Sequence, residues 1–265
     1  MRLSETRPTD APDLHIDDLG DPHGRPVLLL HGGGVGGWMW QPLIARMGSG
    51  YRFLVPDLPG HDRSAHVDYE SHAVTVRALI AALQRAEHRP VTVVGFSLGA
   101  QIAVLLAAHH PDRIARVAII SAQAEPSRWP GMTLGLLRAA APLATREWFA
   151  KAQAKELFVP PALFPEYLRT AQRLSTRSLL TSVGENIRFT VPDAWSGYPG
   201  ESLVLAGERE RALMIRSAHR LAGVRPGQHA EIIPECGHGV PLQKPQWLAQ
   251  RLRVWLDGAH RTEEE

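Results

Sequence analysis

The 265 residues are 44% hydrophobic, enough to fill a core in one large or two small domains, which excludes a mainly disordered chain. Basic and acidic residues nearly balance at 29 against 27, and only Lys151, Lys155 and Lys244 among the basic ones are lysines, so no cationic surplus marks a nucleic-acid partner. Cys236 is the single cysteine, which excludes an internal disulfide and a cysteine zinc cluster, and the longest apolar run, Ile102 to Ala108, is far short of the roughly 18 residues of a membrane span.

The chain opens with Met1 to Asp10, which lacks an apolar signal region, so the protein is expected to be cytoplasmic, with no membrane partner. Leu14 to Ile16 alternates with acidic neighbours like an edge strand closed by Gly20-Asp21-Pro22. Val27 to Leu30, Tyr51 to Val55, Val91 to Val94 and Val117 to Ile120 are continuous apolar runs, the pattern of strands buried on both faces. Val74, Leu79, Ile80 and Leu83 recur at helical spacing, and a second apolar helix runs from Ala100. This alternation predicts an α/β fold with a doubly wound, mostly parallel sheet.

Strand-like runs then stop. From Ala122 to Gly197 the aromatic residues Trp129, Trp148, Phe149, Phe158 and Phe164 lie among Ala, Arg and Pro, which predicts several short helices with the aromatics forming their core and part of a pocket roof. Strand character returns at Leu203 to Ala206 and Ala230 to Ile233, with helices expected at Arg211 to Leu221 and Pro245 to Leu256. The expected division is a core of residues 1–121 and 198–265 and a helical cap of 122–197 over the ligand-binding ends of the strands. Thr262 to Glu265 carries no reading.

Gly95-Phe96-Ser97-Leu98-Gly99 directly follows one strand and leads into a helix, the context in which a strained turn exposes a serine hydroxyl at a helix N-terminus. His31-Gly32-Gly33-Gly34 also follows a strand, and its glycine-rich turn leaves main-chain N–H groups free to face an anion. A rival reading exists there. Gly32, Gly34 and Gly37 satisfy G-x-G-x-x-G, with Asp57 twenty residues later, as in a dinucleotide site. Trp38-Met39-Trp40-Gln41-Pro42 is a poor start for the long helix such a site needs, and that reading leaves Ser97 and His238 unexplained.

The blocks LLLHGGG (28–34), VPDLPGHDRS (55–64), VVGFSLGA (93–100), LVLAGERE (203–210) and CGHGVPLQKP (236–245) occur in an order and spacing that resembles the α/β-hydrolase superfamily over residues 13–257. The resemblance implies a serine hydrolase with a helical cap, Ser97 as nucleophile, His238 as base, and the backbone N–H groups of Gly33 and Leu98 as oxyanion hole. It also implies an acid at Glu210, where glutamate replaces the usual aspartate; Glu208 and Glu125 are the alternatives. The expected reaction is hydrolysis of a small, mainly apolar carboxylic ester or lactone through an acyl-enzyme, without metal or organic cofactor. C–C bond hydrolysis, cofactor-free perhydrolysis and a hydrolase-like ligand receptor share the same motifs and stay open, as does the oligomeric state.

His61 in PGHDRS reads as a hydrogen-bonded structural histidine, and Cys236 as a packed small hydrophobe. Asp62 stands where the family usually has glycine, a departure within the turn after the second strand of the core.

Overall fold

The computed structural model describes residues 12–143 and 146–258; the readings at Met1 to Asp10 and Thr262 to Glu265 lie outside them. Seven strands form one sheet, β1 (Ile16–Gly20), β2 (Arg25–Leu30), β3 (Tyr51–Pro56), β4 (Val91–Phe96), β5 (Ile114–Ile120), β6 (Glu201–Gly207) and β7 (Ala230–Ile233), in the order β1-β3-β2-β4-β5-β6-β7. Only β1 is antiparallel, on β3; every other neighbouring pair is parallel.

Alternation within the strands builds two cores. Leu28 and Leu30 of β2 face one layer with Val91 and Val93, whereas Val27 and Leu29 face the other with Phe53 and Val55. The first layer is covered by α2 (His72–Ala86), α3 (Leu98–His109) and α8 (Ala212–Gly223), the second by α1 (Gln41–Met47) and, after the short α9 (Val240–Gln243), α10 (Pro245–Asp257). Each fully buried leucine of this kind contributes roughly 1.5–3 kcal/mol relative to its exposed state. Ser71 caps α2 by accepting the Val74 N–H at 3.2 Å, which fixes where that helix begins.

Between β5 and β6 come α4 (Pro130–Ala140), α5 (Glu147–Glu156), α6 (Phe164–Arg173) and α7 (Thr176–Arg188). They pack over the loops that follow the strands: Trp38 Nε1 donates to Thr170 Oγ1 at 3.0 Å, and Phe158 lies against Gly237 and Gly239. The aromatics expected as a core of this layer divide differently. Trp129 and Trp148 are 61% and 64% exposed and Phe158 is also exposed, because no further layer covers α4 and α5; Phe149 and Phe164 are partly buried. Asp193–Gly197, within the range 122–197, packs with the sheet layer instead, where Trp195 is fully buried and donates to the Leu221 carbonyl at 2.9 Å. No helix among the described residues is long and apolar enough to cross a membrane.

Strand order changes direction between β2 and β4, and in such a sheet the crevice beyond the carboxyl ends of these two strands is where ligands bind. Parallel register brings further loops there. Leu30 pairs with Gly95, Phe96 with Ile120, Ile120 with Leu205 and Gly207 with Ile233, so the residues that follow five strands line up along one edge.

Candidate active site

Ser97 follows β4 with φ +52° and ψ −112°, a region that L-residues adopt only when the surrounding structure enforces it. The constraint comes from packing on both sides. A Cβ on Gly95 would run into the Gly99 carbonyl oxygen, and one on Gly99 into the Leu30 and His31 carbonyl oxygens, so glycine at both positions permits the close crossing of turn, helix and β2. The Ser97 N–H donates to the Ile120 carbonyl at 2.9 Å, and its own carbonyl accepts from Ala100 and Gln101. The side chain is thereby held at the N-terminus of α3, partly exposed.

His238 lies five residues beyond the end of β7 and joins two groups that are far apart in sequence. Its Nδ1 stands 2.8 Å from Glu210 Oε2 and its Nε2 3.1 Å from Ser97 Oγ. Ionised Glu210 can only accept, so Nδ1 carries the ring hydrogen and Nε2 presents a lone pair to the serine hydroxyl. The Glu210 side chain is fully buried, and its other oxygen accepts from Ser121 Oγ at 2.6 Å and from the Gly207 N–H at 2.8 Å. Three donors thus compensate the burial of this carboxyl group. The Phe96 ring, 5.1 Å from the imidazole, covers one side of it.

No motif singles out Ser121, which follows β5 with a φ of +55° and turns its hydroxyl to Glu210. The alternative acids are used elsewhere. Glu208 accepts the Glu235 N–H at 2.9 Å, and Glu125 lies 3.5 Å from Arg216.

Gly33 is exposed beside Leu98, and among the described residues neither N–H has a hydrogen-bond partner. The Leu98 N–H belongs to the first turn of α3, where donors have no intrahelical acceptor. Two free donors beside Ser97 form a place where negative charge on oxygen would be stabilised. His31 holds this turn, its Nδ1 donating to the Gly32 carbonyl at 2.7 Å and its Nε2 accepting the Leu58 N–H at 2.8 Å.

The dinucleotide reading fails on Asp57 and on the missing helix. Asp57 is fully buried, with one oxygen accepting the Gly37 N–H at 2.7 Å and the other Arg63 Nε at 2.7 Å, so it faces no ligand. Gly37–Trp40 is a single 3-10 turn before the seven-residue α1. Among the described residues no group of three His, Cys, Asp or Glu stands close enough to hold a metal ion. Cys236 is buried beside Gln243, and burial pushes its thiol up to about 11, the wrong direction for a nucleophile. His61 is buried with Nδ1 donating to the Pro59 carbonyl at 2.8 Å, and burial pushes it down to about 3.

A cavity of about 200 Å³ is lined by Gly34, next to Gly33, and by residues of the inserted helices. Its walls are mainly apolar, among them Leu137, Phe149, Tyr167, Leu174 and Leu179. Tyr167 Oη donates to Gln153 Oε1 at 3.3 Å, which adds one polar spot to the lining.

A profile of the alpha/beta hydrolase family matches residues 27–251. The chain belongs to this family. Among its relatives is a pimeloyl-[acyl-carrier protein] methyl ester esterase of Vibrio vulnificus, 26% identical over 91% of this chain and 96% of that one. A 2-hydroxy-6-oxo-6-phenylhexa-2,4-dienoate hydrolase of Burkholderia cepacia is 25% identical over 85% and 84%. The enol-lactonase of Burkholderia xenovorans superposes with a TM-score of 0.78 at 18% identity over 92% of this chain and 96% of that one. An esterase of Thermogutta terrifontis gives 0.76 at 22% over 93% and 94%. These two structures share the alpha/beta hydrolase fold with the chain.

Proposed function

We propose that the protein is a serine hydrolase that cleaves small carboxylic esters with an apolar acyl part, through an acyl-enzyme on Ser97. The observation that carries this reading is the hydrogen-bonded chain from Glu210 through His238 to the strained Ser97. A serine hydroxyl is a weak nucleophile at neutral pH and needs a base at hydrogen-bond distance, which His238 Nε2 supplies.

Ser97 Oγ attacks the ester carbonyl carbon while its proton passes to His238 Nε2. Charge develops on the former carbonyl oxygen, and the N–H groups of Gly33 and Leu98 receive it; one such donor is worth roughly 3 kcal/mol in the transition state. Glu210, which keeps its negative charge, stabilises the imidazolium through Nδ1–H. The imidazolium gives its proton to the alcohol oxygen as the C–O bond breaks, leaving the acyl group on Ser97. Water then attacks with His238 as base again, and the acid leaves with Ser97 regenerated.

Substrate class rests on the cavity. Its apolar walls beside Gly34 suit an alkyl chain or ring better than a sugar or a peptide. The ester-cleaving name of the Vibrio vulnificus relative supports the same bond type. Hydrolysis of p-nitrophenyl esters of increasing acyl length by wild type and Ser97→Ala tests the reading. Multiple turnover by the wild type, lost at least about 10⁴-fold in the variant, is expected. Equal rates would overturn it, and a single turnover with the acid retained would favour a ligand receptor.

A further inference from the structure

Asp62 takes no part in the Ser97–His238–Glu210 chain, yet it is held in a costly conformation. Its φ is +39°, unusual for a residue with a Cβ, and its side chain is only 1% exposed. A buried carboxylate persists only with partners, and here they lie on α6. Arg169 meets it with two parallel hydrogen bonds, Nε to Oδ1 and Nη2 to Oδ2, both 3.1 Å, and Arg173 Nη1 approaches Oδ1 at 3.4 Å. The two arginines, one helical turn apart, are 42% and 47% exposed.

The same helix walls the cavity. Tyr167 and Ala171, one turn apart on α6, line it together with Leu174 just past the helix end, while Arg169 and Arg173 lie on another face toward Asp62. Thr170, between the two faces, accepts the Trp38 indole N–H at 3.0 Å. Both anchors meet at Gly36, three residues past Gly33, where an added Cβ would lie 3.0 Å from Trp38 Cδ1 and 3.1 Å from Asp62 Cβ. The α4 wall, which carries Leu137 and Ala140, contains no buried residue. One wall is therefore clasped to the core, and the other is not.

We infer that Asp62 is a positioning residue for substrate selection: by clasping Arg169 and Arg173 it fixes the α6 wall of the 200 Å³ cavity, so that the cavity selects apolar acyl chains long enough to reach that wall. This inference rests on the ester-hydrolase reading for its kinetic readout but not for its binding readout.

Asp62→Gly is the variant of choice. Glycine suits a φ of +39° and leaves two half-exposed arginines free to enter water, so the fold is expected to survive. Arg169→Gln with Arg173→Gln strands a buried carboxylate instead; a lowered Tm is expected there, with recovery when Asp62→Gly is added. Values of kcat and KM for p-nitrophenyl acetate, butyrate, octanoate and decanoate are then compared in wild type and Asp62→Gly. The expected result is a KM that rises at least about tenfold for the octanoate ester, while kcat/KM for the acetate ester changes less than about threefold. A uniform loss at every chain length, in step with Tm, would overturn the inference. Thermal stabilisation by sodium octanoate separates this from failure of the ester reading, since it needs no turnover. Stabilisation of the wild type but not of Asp62→Gly supports the clasp even if no ester is cleaved; equal stabilisation of both, or of neither, overturns it.

Discussion

Ser121 Oγ donates a 2.6 Å hydrogen bond to Glu210 Oε1, linking the ends of adjacent strands β5 and β6 behind His238. It accounts for how a glutamate reaches the His238 ring at the position where the resemblance leads one to expect aspartate. The longer side chain folds back so that one oxygen is held by Ser121 and the Gly207 N–H and the other is aimed at the imidazole. Glu210→Gln is expected to lower kcat about 10⁴-fold, because an amide nitrogen facing Nδ1 disfavours the tautomer that Ser97 needs. Ser121→Ala should cost less, about 1.5 kcal/mol of stability with a smaller fall in kcat, read by urea titration and steady-state kinetics.

Gly99 lets α3 pass against the end of β2. In Gly99→Ala the new methyl would occupy the space of the Leu30 and His31 carbonyl oxygens. Backbone cannot yield as a side-chain tip does, so a loss of about 1–3 kcal/mol is expected, together with reduced kcat as the Gly33 turn shifts away from Ser97. Unchanged Tm and kcat would contradict the close crossing.

Acid should destabilise the protein through its buried histidines. Burial pushes His61 down to about 3 and lowers His31 as well, whereas in the unfolded chain each takes a proton near its ordinary value of 6.5. The unfolded state therefore binds more protons below pH 6.5. Stability is fully present above that pH and is lost as pH falls toward the folded-state values, by about 1.4 kcal/mol per pH unit for each histidine kept neutral. In His61→Asn the slope of unfolding free energy against pH between 6 and 4 should be shallower; an unchanged slope would contradict this account.

Cys236 is two residues from His238 but is not expected to share in the chemistry. Cys236→Ala should keep kcat/KM within about twofold, and iodoacetamide should leave the native thiol unmodified, since a buried thiol with a raised pKa has little thiolate. Rapid alkylation with loss of activity would contradict the buried placement.

Much of the architecture was legible because buried parallel strands need continuous apolar runs, and each such run from Val27 to Ile233 became a strand of the sheet. The first strand was less legible. Its alternating pattern points to Leu14 to Ile16, whereas the strand covers Ile16–Gly20, since Asp17 and Asp18 extend the edge by pairing with Arg63 and Arg52. The motifs at Ser97, Glu210 and His238 come together through parallel register, which strand order makes foreseeable. Ser121 and Asp62 were not foreseeable in the same way. Their partners, Glu210 and Arg169, lie 89 and 107 residues further along the chain, and no local pattern encodes such pairings. Exposed Trp129 and Trp148 escaped for the opposite reason, because aromatic composition resembles a core whether or not a second layer covers it.

The most direct test of the central claim is covalent labelling. Diethyl p-nitrophenyl phosphate offers phosphorus to an activated serine and releases one p-nitrophenolate per bond formed. Intact-mass and peptide analysis should find one diethylphosphoryl group on Ser97 in the wild type, formed much more slowly in His238→Ala and absent from Ser97→Ala. A label on another residue, or equal labelling in wild type and His238→Ala, would contradict a Ser97 nucleophile activated by His238.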